Sequence, residues 1–349
     1  MEKFYKCYGR GIIIYITEDN NCKVKFLKGS KKHDVYYYLP ENFQSPFTQK
    51  YVEVRFKNTR KDIYLNNTGL NLKINDIIVV ETLIGEYDIG IVSSLGEFIY
   101  NQIITKKIDP QNIKLKVLRK ATQSDIRKWY EAIQLEEYTM LKARQIAKSL
   151  DLNMKITDVE YQGDKLKATF YFIAEDRVDF RQLIKILASE FHIKVEMRQI
   201  GVRQECGRIG GIGTCGKPLC CCSWLKKYDS VLTSCIEIQE LTANPQKLTG
   251  QCGKLKCCLN YEVDLYYEFK KSLPPNYQTL YFSELTLYYQ KFDLFNKLLY
   301  YSPEKESLIN LIPFTLEKVK EIVELNSKNI LPEYSEYTSI KLKKSKHTK

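Results

Sequence analysis

The chain has 349 residues, a formal net charge of +12, eleven cysteines and three histidines. Its length predicts two or three units, each large enough for a core of its own. An odd number of cysteines, several of them adjacent, argues against a disulfide framework; no apolar run approaches a bilayer span, and the first ten residues lack a basic region leading into a long apolar core, so the chain reads as cytoplasmic. The positive balance favours an acidic partner such as RNA, but lysine is abundant throughout, so charge alone decides little.

In chain order the patterns predict an α+β protein. Residues 1–45 predict a strand-rich extension, with apolar runs at 12–16 and 35–39 read as a hairpin or as loose strands; Cys7, Cys22 and His33 fall there without ligand spacing. Residues 46–118 predict a small β-barrel-like domain, because 51–56 alternates, 77–82 reads as a buried run and 87–92 follows the Gly85-Glu86 turn. Lys57, Arg60 and Lys61 read as a solvated turn, with phosphate contact as the competing reading. Residues 119–200 predict an α-β-β-α-β sandwich with its helices on one face of an antiparallel sheet. Its first helix is capped by Ser124 and buries Ile126, Trp129, Tyr130, Ile133, Leu141 and Ala147. Strands at 155–161 and 165–172, a helix at 180–191 and a strand at 193–198 follow, with His192 at the helix-to-strand junction read as a packing or surface residue in preference to a ligand.

Residues 201–272 are a cysteine-rich segment expected to bind metal. The pattern G-x-C-G-K-x-x-C-C occurs at 213–221 and again at 250–258, so Cys215 and Cys252 are 37 positions apart. Thiolates in a reducing compartment bind zinc or iron–sulfur clusters, and the glycines let backbone N–H groups turn toward sulfur. The C-x4-C spacing suits an iron–sulfur site better than zinc without excluding zinc. Cys220, Cys221 and Cys222 are consecutive and cannot all face one ion, since side chains fan around a helix and alternate along a strand. A phosphate loop is disfavoured because Pro218 follows Lys217.

Residues 273–349 predict a helical extension with a basic disordered tail. Leu285, Tyr288, Tyr289, Phe292 and Phe295 recur at helical spacing, while Glu284, Lys291, Asp293 and Lys297 argue against membrane insertion.

The run Glu196-Met197-Arg198-Gln199-Ile200-Gly201-Val202-Arg203-Gln204-Glu205, then Gly210-Gly211-Ile212-Gly213, both cysteine loops and Asn244-Pro245-Gln246-Lys247-Leu248 resemble the bacterial YaaT/RicT family, whose shared region is called the PSP C-terminal domain. The resemblance runs from about residue 51 to residue 271. It implies a non-enzymatic regulatory subunit that assembles with small helical proteins of the YlbF/RicF and YmcA/RicA type and is linked to RNA maturation by ribonuclease Y. It also implies an iron–sulfur cluster of the four-iron, four-sulfur kind, with zinc as the alternative, on Cys215, Cys220, Cys221, Cys252 and Cys257. Cys206, Cys222, Cys235 and Cys258 stand second as ligands. Cys222 departs from the family, where serine is expected, and so does Thr214, where proline or a small residue is usual.

Two other classes are open to the residues: an RNA-binding protein with a structural zinc, and a thiol redox enzyme. The enzyme is disfavoured, because no nucleophile–base pair, carboxylate pair or H-x-E motif is found and His33, His192 and His347 are scattered.

Overall fold

The computed structural model describes residues 3–7, 9–17, 21–26, 50–82, 86–105, 107–225, 227–242, 244–305 and 310–337. They fall into two units: Met1–Asp229 with Gly250–Lys254, and Ser230–Thr249 with Leu255–Lys349.

The first unit begins with an antiparallel meander of β1 (Lys3–Cys7), β2 (Ile12–Ile16) and β3 (Cys22–Phe26). β2 pairs with β1 on one side and β3 on the other, and residues 35–39, expected as the second arm of a hairpin or as a loose strand, lie outside the described residues. Cys7 and Cys22 are core residues, packed with Ile12, Ile14, Ile89, Ile91 and Trp129.

The barrel-like region is a half-barrel of five antiparallel strands: β4 (Tyr51–Arg55), β5 (Lys61–Leu65), β6 (Ile77–Glu81), β7 (Tyr87–Leu95) and β8 (Val117–Lys120), in the order β5-β4-β7-β6-β8. The Leu65 N–H donates to the Leu115 carbonyl at 2.8 Å, and a bridge from Leu65 to Lys116 joins the two edges at one end. One face packs Val79, Ile89 and Ile91 against the meander, and the other packs Val54, Ile78, Val80 and Val92. Burial on both faces explains why 77–80 reads as an unbroken apolar run. Helix α1 (Glu97–Thr105) follows β7.

Helix α2 (Gln123–Ser149) is capped by Thr122, and not by Ser124 as expected. Thr122 stands three residues before Asp125, which returns a bond to the Thr122 N–H and also pairs with Arg119, so a complete capping box forms there. Ile126, Trp129 and Ala147 are buried as the periodicity predicts, whereas Leu141 is 51% exposed.

Strands β9 (Lys155–Tyr161), β10 (Lys167–Ile173) and β11 (Lys194–Gln199) form a sheet of order β11-β10-β9, with α3 (Arg181–Phe191) between the last two in sequence. The sheet is mixed where an antiparallel one was expected: β10 is antiparallel to β9 and parallel to β11, because α3 carries the chain back to its starting end. Ala143 and Ala147 of α2 and Leu183 and Leu187 of α3 share one core with Val159 and Phe170. Exposed His192 ends α3 with a left-handed φ of 51°. Helices α4 (Val202–Ile209) and α5 (Cys220–Ser223) complete the unit.

The second unit contains α6 (Ser234–Ile238), α7 (Pro245–Leu248), α8 (Cys257–Tyr261) and α9 (Val263–Ser272). An antiparallel meander follows, of β12 (Thr279–Tyr281), β13 (Thr286–Asp293), β14 (Leu298–Ser302) and β15 (Ile312–Thr315), then α10 (Leu316–Ser327). The helix expected over Leu285–Phe295 is thus corrected to a strand and turn. Leu287, Leu299, Tyr301 and Phe314 meet Val319 and Ile322 of α10 in a core that only the sheet can assemble. No helix among the described residues is long and apolar enough to cross a membrane. The basic tail at 341–349, His33 and His347 lie outside the described residues.

Candidate functional site

The two copies of the cysteine pattern fold alike. In the first, the Gly213 N–H donates to the Lys217 carbonyl at 2.8 Å and the Gly216 N–H to the Gly213 carbonyl at 3.0 Å; in the second, Gly250 donates to Lys254 at 2.9 Å and Gly253 to Gly250 at 3.0 Å. Gly216 and Gly253 have φ of +76° and +72°, a region that favours glycine, which explains the glycine after each tip cysteine. Bridges Ile212–Pro218 and Thr249–Leu255 close the two loops. Each loop then enters a short helix, α5 or α8, whose first residue is Cys220 or Cys257.

Within the first unit the loops touch. Gln251 Nε2 donates to the Ile212 carbonyl at 2.7 Å, which holds the tip bearing Cys252 against the first loop. Cys206 on α4 and Cys221 on α5 lie near each other, where Gly207 packs against the Cys221 carbonyl, and Cys222 and Cys252 are within electrostatic reach of Cys206. Burial and the adjacent Cys206 push the Cys221 thiol up to about 12, and burial also raises Cys206. Cys222 Sγ donates to the Leu219 carbonyl at 3.1 Å. Cys215 is exposed and Cys220 half-buried.

Cys235, Cys257 and Cys258 belong to the second unit. Cys235 packs in a small core with Leu259 and Val263, and its thiol reaches Asn260 Oδ1 at 3.7 Å, so it serves as a core residue there. Cys257 is half-buried and Cys258 exposed; none of the eleven cysteines is in a disulfide.

Thiols on glycine turns and at helix starts suit a thiophilic ion in kind. Their placement does not complete a ligand shell: among the described residues no three cysteine, histidine, aspartate or glutamate side chains are close enough to hold one ion.

Helix α4 is tied to a buried ionic network that sequence reasoning missed. Arg208 donates to Asp158 Oδ2 at 2.8 Å and its guanidinium lies 3.6 Å from the Tyr171 ring centroid. Asp158 also takes Lys57 Nζ at 2.5 Å, Lys57 Nζ lies 2.9 Å from Glu136 Oε2, and Glu136 Oε1 takes Arg10 at 2.6 Å. Arg60 joins Glu160 at 3.0 Å and Asp88 at 2.6 Å. Lys57 and Arg60 are therefore structural cations, in place of the solvated turn expected; Lys61 pairs with Glu53 at 2.9 Å.

Between Cys206 and Arg208, Gly207 lets α4 touch the backbone of α5, since an added Cβ would stand 2.8 Å from the Cys221 carbonyl oxygen. Gly207→Ala is expected to lower stability by about 1–3 kcal/mol, the usual cost of overpacking a tight contact. It should also speed alkylation of Cys221 as α4 is pushed away. Denaturant midpoints and timed thiol labelling check both effects; unchanged values would show that the helices separate without cost.

The first unit joins a half-barrel and a mixed three-stranded sheet, and with the second unit's meander and helices this makes an α+β protein in which two cysteine loops share one backbone shape. Family models match at residues 115–200 (PSP1 C-terminal conserved region), 230–273 (PSP1-like protein, third domain) and 282–328 (YaaT C-terminal domain). The chain is 39% identical over 229 residues to stage 0 sporulation protein YaaT of Bacillus subtilis, covering 64% of this chain and 78% of that one. It is 28% identical over 185 residues to an uncharacterized protein of Schizosaccharomyces pombe, covering 46% of this chain and 25% of that one. Over 44 residues it is 46% identical to protein PSP1 of Saccharomyces cerevisiae, covering 13% of this chain and 5% of that one. No solved structure matches. The chain belongs to the YaaT/PSP1 family. The family match continues past residue 272, where none was expected, through most of the second unit's sheet and α10.

Proposed function

We propose that the chain is a non-enzymatic regulatory subunit whose paired cysteine loops hold an iron–sulfur cluster or zinc ion. In this reading it joins small helical proteins of the YlbF/RicF and YmcA/RicA type and influences RNA processing by a ribonuclease. The observation that carries the reading is the repetition: both copies take one backbone shape, each with a thiol at the tip and a thiol pair opening a helix. Kinship to a stage 0 sporulation protein favours a regulatory role over catalysis.

Anaerobic purification of the tagged chain from its native host, with metal analysis and a visible absorption spectrum, tests this. Iron with sulfide and a broad visible absorption are expected, or colourless zinc under the alternative, together with small helical proteins. A metal-free chain that binds no protein and cleaves RNA unaided would overturn the reading.

A further inference from the structure

The mixed sheet has two unlike faces. Ala168, Phe170 and Phe172 of β10 pack into the core shared with α2 and α3, so the alternate residues Lys167, Thr169 and Tyr171 belong to the opposite face. The strand register sets Thr169 beside Glu160 and Glu196, and Tyr171 beside Arg198. This polar face and Asp62 and Tyr64 of β5 together line a cavity of about 220 Å³ within the first unit.

Most of the wall is saturated by its own pairs. Arg60 joins Glu160 at 3.0 Å and Asp88 at 2.6 Å, Lys167 joins Glu196 at 2.5 Å, and the Tyr171 hydroxyl donates to Glu160 at 2.9 Å. Those groups fix the shape of the cavity. Three others that line it are left over. Among the described residues nothing bonds to the Arg198 guanidinium or to the Tyr64 hydroxyl, and the Asp62 carboxylate has only Arg60, at 4.0 Å. Tyr64 is 3% exposed, so its hydroxyl is a buried polar group that lines the cavity without a partner, an arrangement that favours an occupant able to bond it.

We propose that this cavity binds a small zwitterion of the α-amino acid class, with its carboxylate on Arg198, its ammonium on Asp62 and a polar atom on the Tyr64 hydroxyl. The unpaired set holds one cation and one anion. A ligand with negative charge alone, such as inorganic phosphate, would satisfy Arg198 but confront Asp62; an amine alone would satisfy Asp62 but confront Arg198. A ligand with both charges offsets both, and a guanidinium fork matches a carboxylate in two parallel bonds. The volume, below the roughly 300–1,000 Å³ of drug-sized sites, restricts the occupant to a small molecule. No cysteine takes part, so the site goes beyond the function proposed above and stands or falls apart from it.

The test titrates the full chain calorimetrically with each protein-building L-amino acid in turn, and then with the acid lacking the amine and the amine lacking the carboxylate of whichever binds. At least one amino acid is expected to bind, one per chain, and each of its two truncated analogues to bind at least about tenfold more weakly, the loss of a hydrogen-bonded charge. Arg198→Ala and Asp62→Asn should each cost a similar factor, and Tyr64→Phe a few-fold. Arg198 makes no bond within the fold, so Arg198→Ala should keep the wild-type urea midpoint, which separates lost binding from lost structure. Binding by none of the amino acids would overturn the site and mark a cleft that holds water only. Affinity unchanged in both Arg198→Ala and Asp62→Asn would also overturn it, as would an acid lacking the amine that binds as tightly as the amino acid, which would mark a plain anion site.

Discussion

Glu160→Ala is expected to cost the first unit about 3–5 kcal/mol, the largest loss of any single substitution considered, because it removes one of the anions that balance a buried cluster of cations. Glu160 is 4% exposed. Its Oε1 accepts from Arg60 Nε and from the Lys57 backbone N–H, both at 3.0 Å; its Oε2 accepts from the Tyr171 hydroxyl at 2.9 Å and lies 3.9 Å from Arg208. Without it, Arg60 keeps Asp88 and Arg208 keeps Asp158, but the positive charge around them is no longer balanced. Both tryptophans, Trp129 and Trp224, lie in the first unit, so fluorescence-detected urea unfolding reports on it. The loss should also depend on acid. Burial alone would raise the Glu160 carboxyl, but Arg60, Arg10 and Arg208 outweigh it and hold the group near 2, against an ordinary 4.5. A carboxyl depressed on folding contributes fully above its unfolded value and loses that contribution as pH falls toward its folded value. Wild type and Glu160→Ala should therefore converge between about pH 4.5 and pH 2. A gap that stays constant through that range would show that packing, not charge, accounts for the loss.

Cys252→Ser is expected to abolish metal retention, and Cys222→Ser to leave it nearly unchanged. Cys252 sits at the tip of the second loop, pinned to the first loop through Gln251 and the Ile212 carbonyl. It is also within electrostatic reach of the α4 thiol, so under the proposed function it is the ligand that joins the two copies. Cys222 gives its proton to the Leu219 carbonyl within its own turn, a bond that a serine hydroxyl can make in its place, as Ser223 already does at 2.9 Å. Metal per chain, measured anaerobically with partner proteins present, is the readout. Loss in Cys222→Ser with retention in Cys220→Ser would mean that the ligand set implied by the resemblance is out of register in this loop.

Local pattern made much of the first unit legible. Strand β9 was predicted with its observed bounds, and α2 was predicted from the spacing of Ile126, Trp129 and Ala147, because these signals come from near neighbours. The second unit was misread for a physical reason. Leu285, Tyr289 and Phe292 suit a helical stripe as well as a strand, and what decides is pairing with β12 and β14, which no local period contains. The turn after β13 did leave a signal. Asp293 Oδ1 accepts from the N–H groups of Phe295 and Asn296, and Lys297 takes a φ of +52°. Lys57 and Arg60 read as a surface turn in the sequence because Asp158 and Glu160 arrive from about a hundred residues away. The duplicated loop is legible as a repeat, but the packing of α4 on α5, which sets Gly207 against the Cys221 carbonyl, is not, since α4 lies outside the repeat.

The chain leaves the first unit after Asp229, returns for five residues at Gly250–Lys254, and leaves again. A single cut therefore cannot divide the protein into its two parts: a fragment ending at Asp229 lacks the Cys252 tip, and one beginning at Ser230 carries that tip without the body that receives it. On the ribosome the same order applies. The half-barrel, the mixed sheet and α4 can all assemble before residue 250 is made, so the bond from Gln251 to the Ile212 carbonyl is the last stitch of a body already folded around it. The second cysteine loop is thus a late arrival, and a nascent chain stalled short of it would expose the first loop alone.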